Sequence, residues 1–412
     1  MGCKRGNSTR RCIHYSYTKT IGLIIMLFYS TSIYAQREDE VVKALVRAGF
    51  ENVCRGVIGD TEVITFENSV WKADGEGVAK AISIIEKYAQ IPGMIRRVVV
   101  LQLGVPQISL ELPALPTINQ DTVSLHNWRA TYDLGKIRKQ YPVLEMNNRS
   151  NWKVDLVVYP EFALRNQKYR KIYDILVNLS PAIEISPMKG MKLTGQVIIP
   201  VFNEYGPEYE QVRPGFVTIS QQFRVTNNFI NLTAGIFNQK RWGFDLQVFH
   251  PFVKEGWLSN FALQGRIGLT GSSYFWNWNW HYGPTKLVTW NLGGSYFNAM
   301  FNVLCEVKVE KFLAGDFGVR ADMTRHFKRA SVGFYVMKNN RGNLDGGFHF
   351  AIALPPMGLK RGKWFRVNSA RYFDFQYRAA GLFYNGKSYE TKPGENKAID
   401  NFNPKYIKSQ LN

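Results

Sequence analysis

Apolar and polar residues alternate through most of the chain after its first third, in segments of about ten positions separated by turn residues. In "VTISQQFRV" the side chains of Val217, Ile219 and Phe223 alternate with polar ones. In "VLCEVKVEK" those of Val307 and Val309 alternate with charged ones. A period of two places alternate residues on one face of a strand. The pattern therefore predicts about twelve consecutive strands over residues 151–355, each with one apolar and one polar face.

This series of strands is typical of an outer-membrane β-barrel, whose strands turn apolar residues to lipid and polar residues to the interior. A secreted sandwich or solenoid is the alternative, because its strands alternate as well. Loop lengths favour the barrel. If the amino-terminal region is periplasmic, the periplasmic junctions are all short, and the long junctions "FNEYGPEYEQVRPG", "SSYFWNWNWHYG" and "NNRGNLDG" lie on the outer side. We expect a mainly β fold: an antiparallel transmembrane β-barrel of about 12 strands, preceded by a small periplasmic α/β domain.

The two ends of the chain have different patterns. Residues 1–35 combine basic residues with the apolar run "IGLIIMLFY", which is typical of a cleaved signal peptide. A retained membrane anchor is the alternative, although a spanning helix needs roughly 20 apolar residues. Residues 36–112 mix helical and strand periods, as in "DEVVKALVRAGFENV" and "TEVITF", and predict the periplasmic α/β domain. A proline-punctuated connector over 113–150 follows, and residues 356–412 form a C-terminal periplasmic segment with room for an extra strand pair.

The stretch "FWNWNWHYG" contains three tryptophans at alternate positions. Lipid-facing residues are odd-numbered in the strand before it and even-numbered in the strand after it, so the hairpin must turn within the stretch, around residues 277–279. Trp280 and Tyr282 then face lipid, and Trp276 faces the interior. An aromatic girdle at the membrane interface is the simplest explanation. Glycan stacking by Trp276 and Trp278 at the barrel mouth is the alternative.

The chain is strongly basic, with a formal net charge of +20 at pH 7, and five of its cations lie in the expected signal peptide. Basic proteins often bind nucleic acid, but an exported protein rarely meets any, so nucleic acid is not an expected partner. Outer-membrane lipid and lipopolysaccharide, or an acidic polysaccharide, are the partners that this charge favours instead.

The sequence contains no motif for nucleophilic, zinc or phosphate chemistry, and its cysteines lack metal-ligand spacing. We therefore expect no enzymatic activity, catalytic residue, cofactor or metal. Charged residues on the interior face of two neighbouring strands could act as a paired acid and base. The simpler interpretation is a neutralised network that fills a narrow lumen. This network comprises Glu306, Lys308, Glu310, Arg320 and Asp322.

Several segments carry a resemblance to a known family. In "EKFLAGDFGVRADMTRHFKRASVGFYV", residues 310–336, an L-A-G-D-x-G turn precedes a strand that ends in Arg325 and Phe327 and is followed by a basic turn. Together with "LVNLSPAIEISPMKGMKLTGQVIIPV", "AGIF…GFDLQVFHPF" and "ALVRAGFENV", this segment resembles the YjbH family of outer-membrane exopolysaccharide-biosynthesis proteins. The resemblance covers nearly all of the mature chain.

The resemblance implies an outer-membrane barrel joined to periplasmic α/β structure that serves the synthesis or export of an extracellular polysaccharide or capsule. It also implies two partners, the polysaccharide and periplasmic polysaccharide-assembly proteins. Family members often have a second barrel-like half, for which this chain has no room. Our hypothesis from the sequence is a non-enzymatic outer-membrane protein that assists exopolysaccharide or capsule biosynthesis or export. A porin-like channel for small solutes is the alternative.

Overall fold

The computed structural model describes residues 39–114, 128–135, 145–166, 172–253, 256–342, 344–379, 385–395 and 402–411. The expected signal peptide and part of the expected connector lie outside these ranges. Within them the protein is mainly β, with an amino-terminal α/β module and one large sheet. No helix in the described ranges is long and apolar enough to span a membrane.

The amino-terminal module is a five-stranded sheet with two helices. Its elements are α1 Glu40–Ala48, β1 Glu51–Ile58, β2 Thr61–Glu67, α2 Asp74–Ile85, β3 Ile95–Gln102, β4 Val105–Leu112 and β5 Arg129–Thr131. The strands pair in chain order; β2 and β3 are parallel, because α2 crosses between them, and the other pairs are antiparallel. The Asp39 carboxylate accepts a hydrogen bond from the Val41 backbone N–H at the start of α1 (3.0 Å), and Gly49 ends that helix with a positive φ.

Part of the expected connector over 113–150 belongs to this module. Residues 129–131 form β5 at the edge of the sheet, and the side chains of Trp128 and Leu134 are buried beside it. The prolines in this region suggested a linker. Trp128 and Leu134 pack against helices and strands that lie far from them in the chain, and local composition does not show such contacts.

The rest of the chain forms one large sheet. Its strands are β6 Val154–Asn166, β7 Tyr173–Ile185, β8 Met191–Asn203, β9 Arg213–Val225, β10 Asn228–Phe237, β11 Arg241–Pro251, β12 Phe261–Trp276, β13 Asn279–Tyr282, β14 Leu287–Asn298, β15 Val303–Lys311, β16 Phe317–His326, β17 Ala330–Asn339, β18 Asp345–Ala353, β19 Phe365–Ser369 and β20 Tyr372–Gln376. Short 3-10 helices occupy Pro207–Tyr209 and Trp257–Asn260.

Pairing in the large sheet follows the chain. From β6 to β18 each strand pairs antiparallel with the next, except that the short β13 folds back on the end of β12, which pairs onward with β14. Strand β19 pairs in parallel with β6, and β20 pairs antiparallel with β18. The prediction of a mainly β protein with a large antiparallel sheet is confirmed. Its closure into a barrel and the count of about 12 strands stay predictions.

The large sheet buries its polar face and exposes its apolar face. On β11 the side chain of Asp245 is 3% exposed and that of Phe244 is 59% exposed. On β17 Ser331 is 2% exposed and Phe334 is 61% exposed. A sheet in water has the opposite distribution, because removal of apolar surface from water stabilises the fold. The apolar face that the sequence pattern predicted is therefore the exposed one.

The C-terminal region returns across the polar face of the large sheet. Residues 385–395, the inner segment, hydrogen-bond to side chains of that face. Helix α3, Pro404–Ser409, then packs against the module, where Tyr406 and Ile407 join the main core. The sequence analysis expected residues 356–412 to form a C-terminal periplasmic segment with room for an extra strand pair. In the structure two short strands, Phe365–Ser369 and Tyr372–Gln376, lie in this range, and the inner segment is held by polar side chains that lie far from it in sequence.

Candidate functional site

The tryptophan stretch forms the end of a long hairpin. Trp276 pairs with Asn279, so the turn consists of Asn277 and Trp278, within the range predicted from the strand parity. Both turn residues have a positive φ, 48° and 65°, as in a type I′ hairpin turn. Asparagine adopts this conformation readily and tryptophan rarely does. Trp278 is also 62% exposed. A strained, exposed aromatic residue at a loop tip is a candidate contact residue.

The outward face of this hairpin carries an aromatic cluster. Trp280 and Tyr282 each lie edge-on to Trp242, with ring centroids 5.7 Å apart. Trp280 Nε1 also donates a hydrogen bond to Ser273 Oγ at 2.7 Å. On β11, Trp242 lies two residues from the exposed Phe244 and on the same face. The two rings that the sequence analysis assigned to the lipid girdle thus lie on the apolar side of the sheet.

The opposite face of the hairpin is a second aromatic surface. Tyr274 and His281 are register partners, and their rings stack at 4.8 Å with an interplanar angle of 11°. Trp276 lies two residues beyond Tyr274 on the same face and is exposed. Sequence reasoning identified Trp276 and missed Tyr274 and His281, although the same period of two connects them. We name Tyr274, Trp276, Trp278 and His281 the aromatic platform.

A neighbouring loop contacts the tip of this hairpin and adds a cation. The Asn277 backbone N–H donates to Gln211 Oε1 at 3.0 Å, which joins the hairpin to the loop between β8 and β9. Close to that contact, the Arg213 guanidinium lies 5.2 Å from the centroid of the Tyr209 ring. The platform is therefore part of a larger surface at the loop end of the sheet that combines aromatic rings with positive charge.

The charged residues predicted for the interior lie on the polar face of β15 and β16. Glu306 is the register partner of Asp322, and Lys308 is that of Arg320. Like charges at opposed positions repel each other. Each carboxylate is instead paired along its own strand: Lys308 Nζ lies 3.4 Å from Glu306 Oε1, and Arg320 Nη2 lies 2.9 Å from Asp322 Oδ2. Both carboxylates are thus neutralised by a cation two residues away.

The inner segment supplies partners for other charges on this face. Ser388 Oγ donates to Glu310 Oε2 at 3.3 Å, and the Tyr389 hydroxyl donates to Asp245 Oδ2 at 2.6 Å. Arg266 Nε bonds to the same Asp245 oxygen at 2.7 Å, and its guanidinium lies 4.7 Å from the Tyr389 ring centroid. Sequence reasoning missed these partners, because Tyr389 and Asp245 are 144 residues apart. The inner segment thus lies beside the charged network that the sequence analysis predicted and contributes further partners to it.

The module is attached to the end of the sheet where β6 begins. Tyr132 of the module contacts the rings of Phe229 and Phe249 at centroid distances of 6.0 and 6.3 Å. Ion pairs surround this apolar contact, each joining a carboxylate of the module to a cation of the sheet region: Glu51 to Lys153 and Arg361 (2.8 Å each), Asp74 to Arg371 (2.7 Å) and Glu76 to Arg329 (2.7 Å). The hydrogen bond from Arg329 lowers the pKa of Glu76 from its ordinary value of 4.5.

Comparisons with known proteins add little. No family model and no curated protein matches the sequence. One solved structure with some similarity is OmpTdeltaL8 (loop L8 deletion mutant of OmpT), an outer membrane protein of Vibrio cholerae. The identity is 8% and the TM-score 0.24, over 48% of this chain and 86% of that chain. The resemblance to the YjbH family stays a prediction from the sequence.

Proposed function

We propose that this chain is an outer-membrane β-barrel protein that assists the biosynthesis or export of an exopolysaccharide or capsule and has no enzymatic activity of its own. The observation that carries the proposal is the inverted sheet, whose strands expose Phe244 and Phe334 and bury Asp245 and Ser331. Such a distribution is stable when the outer solvent is lipid. In the proposal the sheet lies in the outer membrane and the module lies in the periplasm.

The proposal includes closure of the sheet into a barrel. Strand β19 pairs with β6 and β20 pairs with β18, so one short stretch of chain bridges the two edge strands. The inner segment also interacts with both sides of the interior. Tyr389 bonds to Asp245 of β11, and Lys392 interacts electrostatically with Glu184 of β7. Closure suits a membrane sheet, because it shortens the strand edge that is left unpaired in lipid.

Aromatic residues at both ends of the strands support a membrane location. The end at which β6 begins carries exposed rings at Trp152, Trp257, Phe301 and Trp364. The opposite end carries exposed rings at Trp280, Tyr282 and Phe317. Tryptophan and tyrosine favour the headgroup level of a bilayer, where one side of the ring is apolar and the other is wet. Two such belts are what a barrel needs to hold its depth in the membrane.

The polysaccharide role is supported by the aromatic platform and by the sequence resemblance. The platform presents flat rings at the outer mouth, and sugar rings can stack on such surfaces at a gain of roughly 1 kcal/mol per contact. The net positive charge of the chain favours an acidic polymer. The proposed partners are extracellular polysaccharide at the platform, lipid and lipopolysaccharide around the sheet, and periplasmic polysaccharide-assembly proteins at the module.

A deletion strain scored for surface polysaccharide tests this role. We expect the deletion to lower surface polymer and the wild-type gene to restore it. A Tyr274→Ala/Trp276→Ala variant should restore it poorly, because it lacks half of the platform. Leu344→Ala removes an exposed apolar side chain in the loop before β18, at the same end of the sheet and outside both the platform and the aromatic belt, and is the matched control, which should restore polymer fully. Surface polymer that stays at the wild-type level in the deletion strain would contradict the proposal.

A porin-like channel for small solutes is the second candidate function. The inner segment across the interior and the module at one mouth favour the first candidate, because both would obstruct free diffusion. Conductance of the purified protein in planar bilayers separates the two functions. We expect small or no steady conductance, and a large steady conductance would favour the porin.

A further inference from the structure

The two ends of the large sheet meet along a boundary unlike its other strand boundaries. Because the strands from β6 to β18 alternate in direction and β18 runs opposite to β6, the next strand must run parallel to β6. Residues 365–379, the closing segment, take this position. Their first part pairs with Val154–Val158 of β6, and their second part pairs with β18 instead.

Beyond the middle of β6 the backbone pairing stops. The last backbone bond runs from the Ala370 N–H to the Val158 carbonyl at 2.8 Å. In the part of the chain that the structure describes, no β-ladder joins residues 159–166 to residues 372–379, and we name this boundary the seam. The other neighbouring strands from β6 to β18 are joined by ladders, two of which contain a register shift, so the seam lacks the backbone bonds that resist separation of those strands.

Side chains close the seam in place of a ladder. The rings of Phe162 and Phe375 are in contact across it, with centroids 5.4 Å apart. Near the outer end, Asn166 Nδ2 donates to the backbone carbonyl of Ala379 at 2.8 Å. These contacts depend on rotatable side chains, and their loss leaves both strands paired to their other neighbours. The seam can therefore open without disruption of the rest of the sheet.

The module holds the closing segment at the point where it changes partner. The ammonium of Lys72 lies within hydrogen-bond distance of four oxygens there: Asn368 Oδ1 at 2.8 Å, Ser369 O at 2.6 Å, Ser369 Oγ at 3.1 Å and Ala370 O at 3.2 Å. The Lys72 side chain is only 3% exposed. A buried ammonium requires such acceptors, and hydrogen bonds from a charged donor are among the stronger ones.

Two further contacts fix the next residues of the closing segment to the module. Arg371 Nη2 lies 2.7 Å from Asp74 Oδ1, and the Tyr372 hydroxyl donates to the Lys72 carbonyl at 3.2 Å. The module thus holds residues 368–372, which connect the part paired with β6 to the part paired with β18. Movement of the module would free residues 368–372 from it, while the first part stays paired with β6 and the second with β18.

We propose that the seam is a lateral gate of the barrel and that the docked module holds it shut through Lys72 and Asp74. The inference rests on the proposed closed barrel in the outer membrane. With the module docked, the closing segment stays between β6 and β18. When the module moves away, the closing segment loses its contacts with Lys72 and Asp74, and the seam opens a path from the interior to the bilayer.

A cysteine pair across the seam reports its state. Phe162→Cys and Phe375→Cys are combined in a Cys305→Ser background, with the buried Cys54 left unchanged, and are treated with a short bifunctional thiol reagent in isolated outer membranes. The matched control pair is Leu292→Cys with Val309→Cys, which are register partners on the apolar face of β14 and β15. Migration of unboiled samples on gels reports whether each variant is folded.

Lys72→Met is the test variant and Arg329→Ala is its control, because Arg329 pairs with Glu76 of the module and does not touch the closing segment. We expect Lys72→Met to slow cross-linking of the seam pair several-fold, with no change at the control pair. Arg329→Ala should change neither pair. If Lys72→Met does not fold, Tyr372→Phe, which deletes one hydroxyl bond to the module, should produce a smaller reduction in the same direction.

Two results would overturn the gate, and they differ in what they say about the barrel. Seam cross-linking at the wild-type rate in a folded Lys72→Met protein rejects the role of the module and leaves the closed barrel intact. A seam pair that does not cross-link even with native Lys72, while the control pair does, means that β6 and the closing segment are not neighbours. The closed barrel then fails together with the gate.

Discussion

Trp278 occupies a turn position that glycine would fill with less strain. Its φ of 65° lies in the left-handed region, which costs an L-residue roughly 1–2 kcal/mol. Trp278→Gly creates the Asn-Gly pair that type I′ turns prefer. We therefore expect equal or greater resistance of the folded barrel to heating, together with about fivefold weaker binding of the isolated polymer if one stacking contact of roughly 1 kcal/mol is lost. Unchanged polymer binding would mean that Trp278 does not contact the polymer.

Trp276 and Trp280 lie on opposite faces of the same hairpin, and their loss should have different effects. Trp280→Ala removes the ring contact with Trp242 and the hydrogen bond to Ser273. It should lower the heating midpoint of the folded band on gels, because anchoring at the interface is lost as well. Trp276→Ala should leave this midpoint unchanged and weaken polymer binding by roughly 1 kcal/mol, an effect that high salt leaves in place if it comes from stacking. Equal effects of the two variants on the midpoint would contradict the assignment of faces.

Residue-level features were predictable from the sequence where a local period decides them. The alternation on the two sides of the tryptophan stretch placed the turn within residues 277–279, and the structure has it at Asn277 and Trp278. Contacts that depend on distant chain segments were not predictable. Tyr389 meets Asp245 across 144 residues, and nothing in the residues near either one indicates the other.

Among the elements, the inner segment is the one on which the expected lack of steady conductance depends. Tyr389 holds it through the hydroxyl bond to Asp245 and through stacking on Phe237, with ring centroids 5.3 Å apart and an angle of 7°. Tyr389→Ala removes both contacts and should produce transient conductance steps in planar bilayers. Tyr389→Phe keeps the ring and should behave close to the wild type. Absence of steps in a folded Tyr389→Ala protein would mean that the segment does not obstruct the interior.

The attachment of the module to the sheet should weaken at low pH. The hydrogen bond from Arg329 lowers the pKa of Glu76 in the docked state, so docked Glu76 binds a proton less readily than free Glu76 does. The Glu76–Arg329 pair therefore makes its full contribution to module attachment above the ordinary pKa of 4.5, and this contribution is lost as the pH falls through the lowered pKa. Because Arg329 is about half exposed, we expect the pair to stabilise the attachment by less than about 1 kcal/mol.

Protease release of the module, measured as the pH is lowered, checks this prediction. Glu76→Gln should release the module slightly more readily at neutral pH and should lose part of the acid dependence. An acid dependence identical in Glu76→Gln and wild type would contradict the assignment of this effect to Glu76.

The sequence pattern predicted the long strands of the sheet but not the short ones. Strands with a strict period of two were found in order, because burial of one face forces the alternation. The sequence analysis left room for a strand pair in residues 356–412 but did not locate it. The two halves of the closing segment, Phe365–Ser369 and Tyr372–Gln376, are too short for a clear period and pair with opposite edges. Strand β5 was missed for a similar reason, as it has three residues.

At the scale of the whole molecule, one chain combines two opposite burial patterns. The module buries Leu45 and Ile82 in an apolar core, as a protein in water does. The large sheet buries Asp245 and exposes Phe244. The border between the two patterns coincides with the ion pairs and aromatic rings at the end where β6 begins, which is where a membrane surface would lie in the proposed arrangement.

The outer face of the large sheet provides the most direct test of that arrangement. Val307 lies near the middle of β15 and is exposed on the apolar face. In a bilayer, Val307→Arg would place a charge near the hydrocarbon centre at a cost of about 2–4 kcal/mol and should reduce the amount of folded, membrane-inserted protein on unboiled gels. Met300→Arg changes an exposed residue in the turn before β15 and should be tolerated. If the sheet faced water, both substitutions would be harmless, and Val307→Arg would improve solubility. Equal, wild-type levels of folded protein in the two variants would therefore reject the membrane location.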